Sequence, residues 1–294
     1  MSDFVQQQNN TCDFKTSDSW VILSPIEQSI KRKIEAVGTP LKDWDIQINY
    51  GIKTGYNEAF IISTEKRNEI LDNCLTEDER KRTEELIRPI LRGRDIKRYG
   101  YEWAGLYLIA TFPSRHYDIE EYPAVKQHLL SFGMERLEQT GKKYTINGQQ
   151  VTARKKTNNK WFETQDSISY WEDFSHPKIV WGNLNLTGSY CMATEGMFIN
   201  APSPFIATSN LAILHILNSK VADYYIRSLG VTRNGGYFEY KPMFVEKFPI
   251  PQQGLFDIAL YPAHPTALQE QEICNKVYQL YGLTEEEISF INKQ

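Results

Sequence analysis

Gly51-Ile52-Lys53-Thr54-Gly55-Tyr56-Asn57-Glu58-Ala59-Phe60 and Ile90-Leu91-Arg92-Gly93-Arg94-Asp95-Ile96-Lys97-Arg98-Tyr99 are the stretches on which the fold of this chain turns. Each puts glycine at a turn, sets cationic side chains around it and lies beside an apolar strand. Glycine enters turn conformations closed to other residues and lets a second backbone come close. Trp44, Ile46 and Ile48 alternate with polar residues, which predicts a strand over 44–49. With a turn over 51–57 and a return strand over 59–63, the first stretch reads as a hairpin. Its tip presents Lys53, Thr54, Tyr56 and Asn57.

Working outward, Ser24, Pro25 and Glu27 announce a capped helix that runs through Ile30 and Ile34 and stops at Gly38. Residues 1–19 read as a flexible polar leader without an apolar signal core. A second helix starts at Thr76, with Glu79 at its third position, and ends before Pro89. Strands are expected over 106–112, 178–182, 197–200 and 237–245. Helices are expected over 123–137, over 208–229 as one long element stopped by Gly230, and over 266–281 and 285–292. Residues 141–160 read as a polar loop or ribbon. Hairpins and separated helices, without regular strand–helix alternation, predict an α+β fold. It would be an antiparallel sheet with packed helices over 20–252, then a linker and C-terminal helices over 253–294.

The 294 residues include 33 basic and 37 acidic side chains, a formal net charge of −4. Bulk charge therefore argues weakly against a polyanionic partner, and the distribution of charge matters more than its sum. Residues 141–160 hold Lys142, Lys143, Arg154, Lys155, Lys156 and Lys160, and no carboxylate. Asn147, Gln149, Gln150, Asn158 and Asn159 lie among them. Cations neutralise phosphates, and amide and guanidinium groups pair with base edges, so the composition suits DNA. A solvated surface loop is the plain alternative. A second basic patch is Arg88, Arg92, Arg94, Lys97 and Arg98, with Asp95 nearby. A third candidate is Arg233 and Asn234, just before Gly235-Gly236.

Catalytic signatures are missing: no G-x-G-x-x-G, P-loop, G-x-S-x-G or H-E-x-x-H. Asp72 with Glu79-Arg80-Lys81 could hold a divalent ion, but pairing along a charged helix explains them as well. No zinc-ligand spacing appears, so no metal site is expected. Cys12, Cys74, Cys191 and Cys274 are far apart, which suggests reduced thiols and a cytoplasmic protein. No apolar run approaches the length of about 18 residues that a membrane span needs.

These stretches, taken in order, resemble the TaqI-like C-terminal specificity domain of adenine-methylating restriction-modification enzymes. The likeness is carried by Gly51–Phe60, Pro89–Tyr99, Pro177-Lys178-Ile179-Val180-Trp181, Leu214–Lys220, Phe248-Pro249-Ile250-Pro251 and the tail Tyr281–Ile288. The resemblance implies a DNA target-recognition domain that follows an adenine-N6 methyltransferase domain, in some relatives with a nuclease as well. Catalysis is then not expected of this chain, which lacks the adenine-gripping Asn-Pro-Pro-Tyr type motif and the cofactor loop. No cofactor is expected in it. S-adenosylmethionine is implied for the methyltransferase domain, with Mg²⁺ where a nuclease is attached. The implied partners are double-stranded DNA and a methyltransferase domain in cis or in trans, with no membrane. An assembly module that docks on a methyltransferase with little DNA contact is the competing expectation, and the acidic net charge suits it.

Overall fold

The computed structural model describes residues 23–230 and 232–294; the expected leader over 1–19 and Cys12 lie outside them. The chain divides into two units. One comprises the described part of Met1–Asp45 with Asn210–Thr232 and Met243–Gln294; the other comprises Ile46–Ser209 and Arg233–Pro242.

The first unit is helical. Helix Pro25–Val37 starts as the capping box requires, with the Ser24 N–H donating to Glu27 at 2.7 Å, and it buries Ile30 and Ile34. Gly38 then takes an extended conformation. Glycine is needed there for space, because a Cβ would stand 2.5 Å from the carbonyl carbon of Pro249. That contact lets Thr39–Pro40 pair antiparallel with Pro249–Ile250. The single long helix expected over 208–229 is two helices, Leu211–Leu217 and Lys220–Leu229. Ser219 interrupts it: its hydroxyl accepts the Ala222 N–H at 3.2 Å and caps the second helix. A side chain that can bond the backbone locally competes with helix continuation, and apolar periodicity does not register that competition. Helices Ala267–Leu280 and Glu285–Asn292 both open with capping boxes, the latter from Thr284 and Glu287 as expected. The buried Glu287 carboxylate also accepts from Ser29 Oγ and Lys33 Nζ, both at 2.7 Å, and so ties the last helix to the first.

The second unit holds two four-stranded sheets. One runs in the order Tyr190–Ala193, Lys178–Trp181, Pro204–Ala207, Ile48–Tyr50 and is antiparallel throughout. The other runs Phe198–Ile199, Ile87–Leu91, Leu106–Ile109, Ile61–Ser63; its first pair is parallel and the rest antiparallel. The stacked rings of Phe174 and Phe198 lie 4.5 Å apart, and Phe174 also meets Phe205 at 4.8 Å. The three rings join the two sheets into one apolar core, since Phe198 belongs to one sheet and Phe205 to the other.

The 51–60 hairpin is corrected by this topology. Tyr50 lies opposite Pro204, whereas Ile61 lies opposite Leu108 in the other sheet. The segment is therefore a crossover, and Asn57–Phe60 forms a helical turn. Alternation marks a strand but does not name its partner. Helix Thr64–Asp72, capped by Ser63, was not expected, because its sequence is mostly polar and buries only Ile70 and Leu71. The strand expected over 237–245 shrinks to Phe238–Glu239 and gives way to a helical turn at Pro242–Val245. The expected helix over 123–137 breaks into Pro123–Leu130 and Met134–Leu137 around Gly133, whose φ is +87°. Among the described residues no helix is long and apolar enough to cross a membrane.

Candidate nucleic-acid interface

The two glycine motifs meet at one place, the turn Asn200–Ser203. On one side, the Gly51 N–H donates to the Ser203 carbonyl at 2.8 Å and the Ile52 N–H to the Ile199 carbonyl at 2.7 Å. On the other, the Asn200 N–H donates to the Leu91 carbonyl at 2.8 Å. A Cβ on Gly51 would fall 2.6 Å from the Ile199 oxygen and 2.8 Å from the Ser203 oxygen; one on Gly93 would fall 2.8 Å from Ser203 Oγ. Both glycines are thus selected by close approach to the same turn, and the side chains that follow them emerge on either side of it.

Two clefts flank this turn and share Pro202. The first, about 530 Å³, is lined by Arg94, Lys97 and Arg98 with Asn183, Asn185, Thr187 and Ser189. Among the described residues no carboxylate lines it. The Asn183 Oδ1 atom is buried there without a hydrogen-bond partner among the described residues. The second cleft, about 710 Å³, is lined by Lys53, Tyr56, Asn57 and Tyr170, but also by Glu58 and Asp166. Of the expected tip residues, Lys53 and Asn57 are exposed, Tyr56 is half-buried and Thr54 is buried. Thr54 organises the loop, its hydroxyl donating to Asn57 Oδ1 at 2.7 Å and accepting the Tyr56 N–H at 3.1 Å.

The acid-free segment is a ribbon, Lys143–Ile146 paired with Gln149–Thr152. Asn147 and Gly148, at φ +51° and +78°, make its two-residue turn, a conformation that asparagine and glycine favour. Directly opposed residues share a face, so Lys143, Thr145, Gln150 and Thr152 form the exposed side. Gln149 instead lies opposite Ile146. Lys142, Lys155, Lys156, Asn158 and Lys160 are exposed around the ribbon.

Arg154 departs from the expected set because it is buried. Its guanidinium donates to the carbonyls of Leu137 (2.8 Å), Thr54 (2.9 Å) and Glu163 (2.7 Å), and to that of Trp161. It is a strut that joins the ribbon base to the Lys53–Gly55 loop and has no open side for a duplex. Arg92 is held by Asp95 in a two-point ion pair at 2.7 and 2.9 Å. Burial alone would raise the Asp95 pKa, but the Arg92 hydrogen bonds outweigh it and lower it. Arg233 is similarly bound to Glu239, which Lys241 also contacts at 2.8 Å, while Asn234 is exposed. The carboxylates of the Asp72 and Glu79-Arg80-Lys81 set, a candidate for a divalent ion, have protein partners instead. Asp72 pairs with Arg80, and the buried Glu79 carboxylate accepts the Leu75 and Ala124 N–H groups at 2.8 and 3.0 Å. Among the described residues no group of histidine, cysteine and carboxylate side chains could hold a metal ion.

Residues 88–250 match the TaqI-like C-terminal specificity domain. The chain belongs to this family. The matched stretch contains the Gly93 motif, the ribbon, the Asn200–Ser203 turn and the Asn183–Ser189 wall of the first cleft. The Gly51 motif lies outside it and is joined to it by the turn contacts above. Over 282 residues the chain is 22% identical to the Type II methyltransferase M.PaeR7I of Pseudomonas aeruginosa, covering 93% of this chain and 44% of that protein. Its fold is like that of the Type IIL restriction-modification enzyme MmeI, solved in complex with DNA, with a TM-score of 0.55 and 14% identity over 87% of this chain and 36% of that one. The chain thus spans less than half the length of either. Within the specificity domain, Asn183, Asn185, Thr187 and Ser189 were not singled out by sequence reading. The signal available was the polar run Gly182-Asn183-Leu184-Asn185-Leu186-Thr187 directly after the strand that ends at Trp181.

Proposed function

We propose that this specificity domain reads a sequence in double-stranded DNA for a restriction-modification adenine methyltransferase. The observation that carries the reading is the first cleft, where three cations and two asparagines gather with no carboxylate in a protein of net charge −4. Lys97 and the arginines suit phosphate oxygens and guanine edges, and the asparagine amides suit adenine. Lys53 and Asn57 flank the same turn from the second cleft, and the ribbon cations add phosphate contacts. Methyl transfer, with S-adenosylmethionine and an adenine turned out of the duplex, then falls to a methyltransferase domain in cis or in trans. Mg²⁺ would serve only an attached nuclease.

The test is selection from a randomised duplex pool on the immobilised full chain, followed by sequencing of what is retained. One enriched motif is expected, together with its loss in an Arg94→Gln/Lys97→Gln variant. Retention without enrichment, or no retention, would sink sequence reading. The net charge, with Glu58 and Asp166 in the second cleft, favours the competing reading of an assembly module, which predicts that second result.

A further inference from the structure

A third cavity, about 430 Å³, opens in the sheet-containing unit and shares no lining residue with either cleft. Its walls carry three guanidinium groups, Arg82, Arg88 and Arg115, against one carboxylate, Glu85. Arg82 donates to the Glu121 carbonyl at 3.3 Å. Arg88 and Arg115 form no ion pair among the described residues. Each lies over an aromatic ring instead, Arg115 at 3.9 Å from the Trp171 centroid and Arg88 at 5.9 Å from that of Phe198. Phe112 and the Tyr117 and Tyr122 rings, the latter two edge to face at 5.9 Å, complete the aromatic lining.

A guanidinium laid flat on a ring keeps its N–H edge for an anion and matches the two-point geometry of a phosphate. Aromatic rings and guanidinium planes in the same walls accept a nucleobase by stacking. The volume lies in the range of small-molecule sites. Arg88 is half-buried and Arg115 exposed, and five aromatic side chains line the same cavity, a combination that suits a ligand carrying both an anion and a flat ring. We propose that this cavity binds a nucleoside monophosphate, with its phosphate on Arg88 and Arg115 and its base against the aromatic wall. The site is independent of duplex reading.

The experiment is calorimetric titration of the full chain with each 2′-deoxynucleoside 5′-monophosphate, with inorganic phosphate and unphosphorylated nucleosides as separate arms. Saturable binding of at least one nucleotide is expected, with each half-ligand about tenfold or more weaker. The Arg88→Gln/Arg115→Gln variant should weaken the nucleotide about tenfold or more at an unchanged thermal midpoint. As a second readout, bound nucleotide should quench tryptophan emission in the parent and lose that part of the effect in Trp171→Phe. Absence of saturable binding, inorganic phosphate binding as tightly as the nucleotide, or undiminished binding by the double variant overturns the assignment.

Discussion

Lys178 is a lysine in the interior of a sheet, with 0% of its surface exposed. Its ammonium donates to the carbonyls of Phe174 and Thr194 at 3.0 and 3.1 Å. Burial pushes its pKa down from 10.5 to about 8. Between those values the unfolded chain holds a proton that the folded chain has released, so raising the pH stabilises the fold. The full effect is on the order of 3 kcal/mol. Lys178 therefore contributes a rise in stability from about pH 8 towards 10.5, which the raised Cys191 thiol opposes above pH 9, so the rise is isolated in urea unfolding as the difference between the parent and Lys178→Met. Lys178→Met should flatten that rise, and a variant with the parental slope would remove Lys178 as its source. Gly51 is a second residue whose role is fixed by contact. Gly51→Ala would press a methyl group against the carbonyls of Ile199 and Ser203, and it should cost about 1–3 kcal/mol in the same assay. The glycine was legible in the sequence; the reason for it was not, because the turn it touches lies about 150 positions away along the chain.

At the scale of elements, the ribbon and the last helix carry opposite kinds of electrostatics. The ribbon cations are exposed, so any free energy they contribute comes through counterion release on binding. Lys142, Lys143, Lys155 and Lys156 changed together to Gln should flatten the log–log salt dependence of duplex binding by up to roughly three to four units. The preferred sequence should change less than the affinity, because the cleft asparagines remain. A parental slope would mark the ribbon as solvated surface. The last helix uses Glu287 internally. Burial alone would raise its carboxylate, but hydrogen bonds from Lys33, the Thr284 N–H and Ser29 bring it down from 4.5 to about 2. Its stabilisation is complete above about pH 4.5 and is lost as the pH falls through about 2. Glu287→Gln should cost about 2–3 kcal/mol at neutral pH, measured by thermal unfolding, and should weaken this acid sensitivity. Helices with capping boxes, such as Glu285–Asn292, were readable within a residue because the cap is a local bond. The break at Ser219 was missed although it is equally local, because the apolar spacing across 208–229 continues through it.

For the whole molecule, the reading of the family rests on an ordered set of short motifs, and 88–250 match it. If the domain reads DNA for a partner that methylates, the purified chain should transfer no methyl group when given S-adenosylmethionine and mixed-sequence duplex. Radiolabel incorporation of one methyl per chain or more would contradict that division of labour. In the second unit the cation-rich regions have separate settings: Arg94, Lys97 and Arg98 in one cleft, Lys53 in another, and Arg88 and Arg115 in a third cavity. The basic patch read from the sequence as one feature, Arg88 to Arg98, is thereby split.

The capped helices and the acid-free segment were encoded in spacing and chemistry within some twenty residues, and the α+β class and the family in the order of such stretches along the chain. Tertiary structure alone decided which strands pair, so that 48–50 and 61–63 enter different sheets. It also decided which cations stay outside. Arg94 and Arg154 are the same side chain in similarly basic runs, yet one lines a cleft and the other braces four carbonyl groups. A buried backbone acceptor needs a donor whatever segment supplies it, and that demand becomes visible only when distant segments have come together.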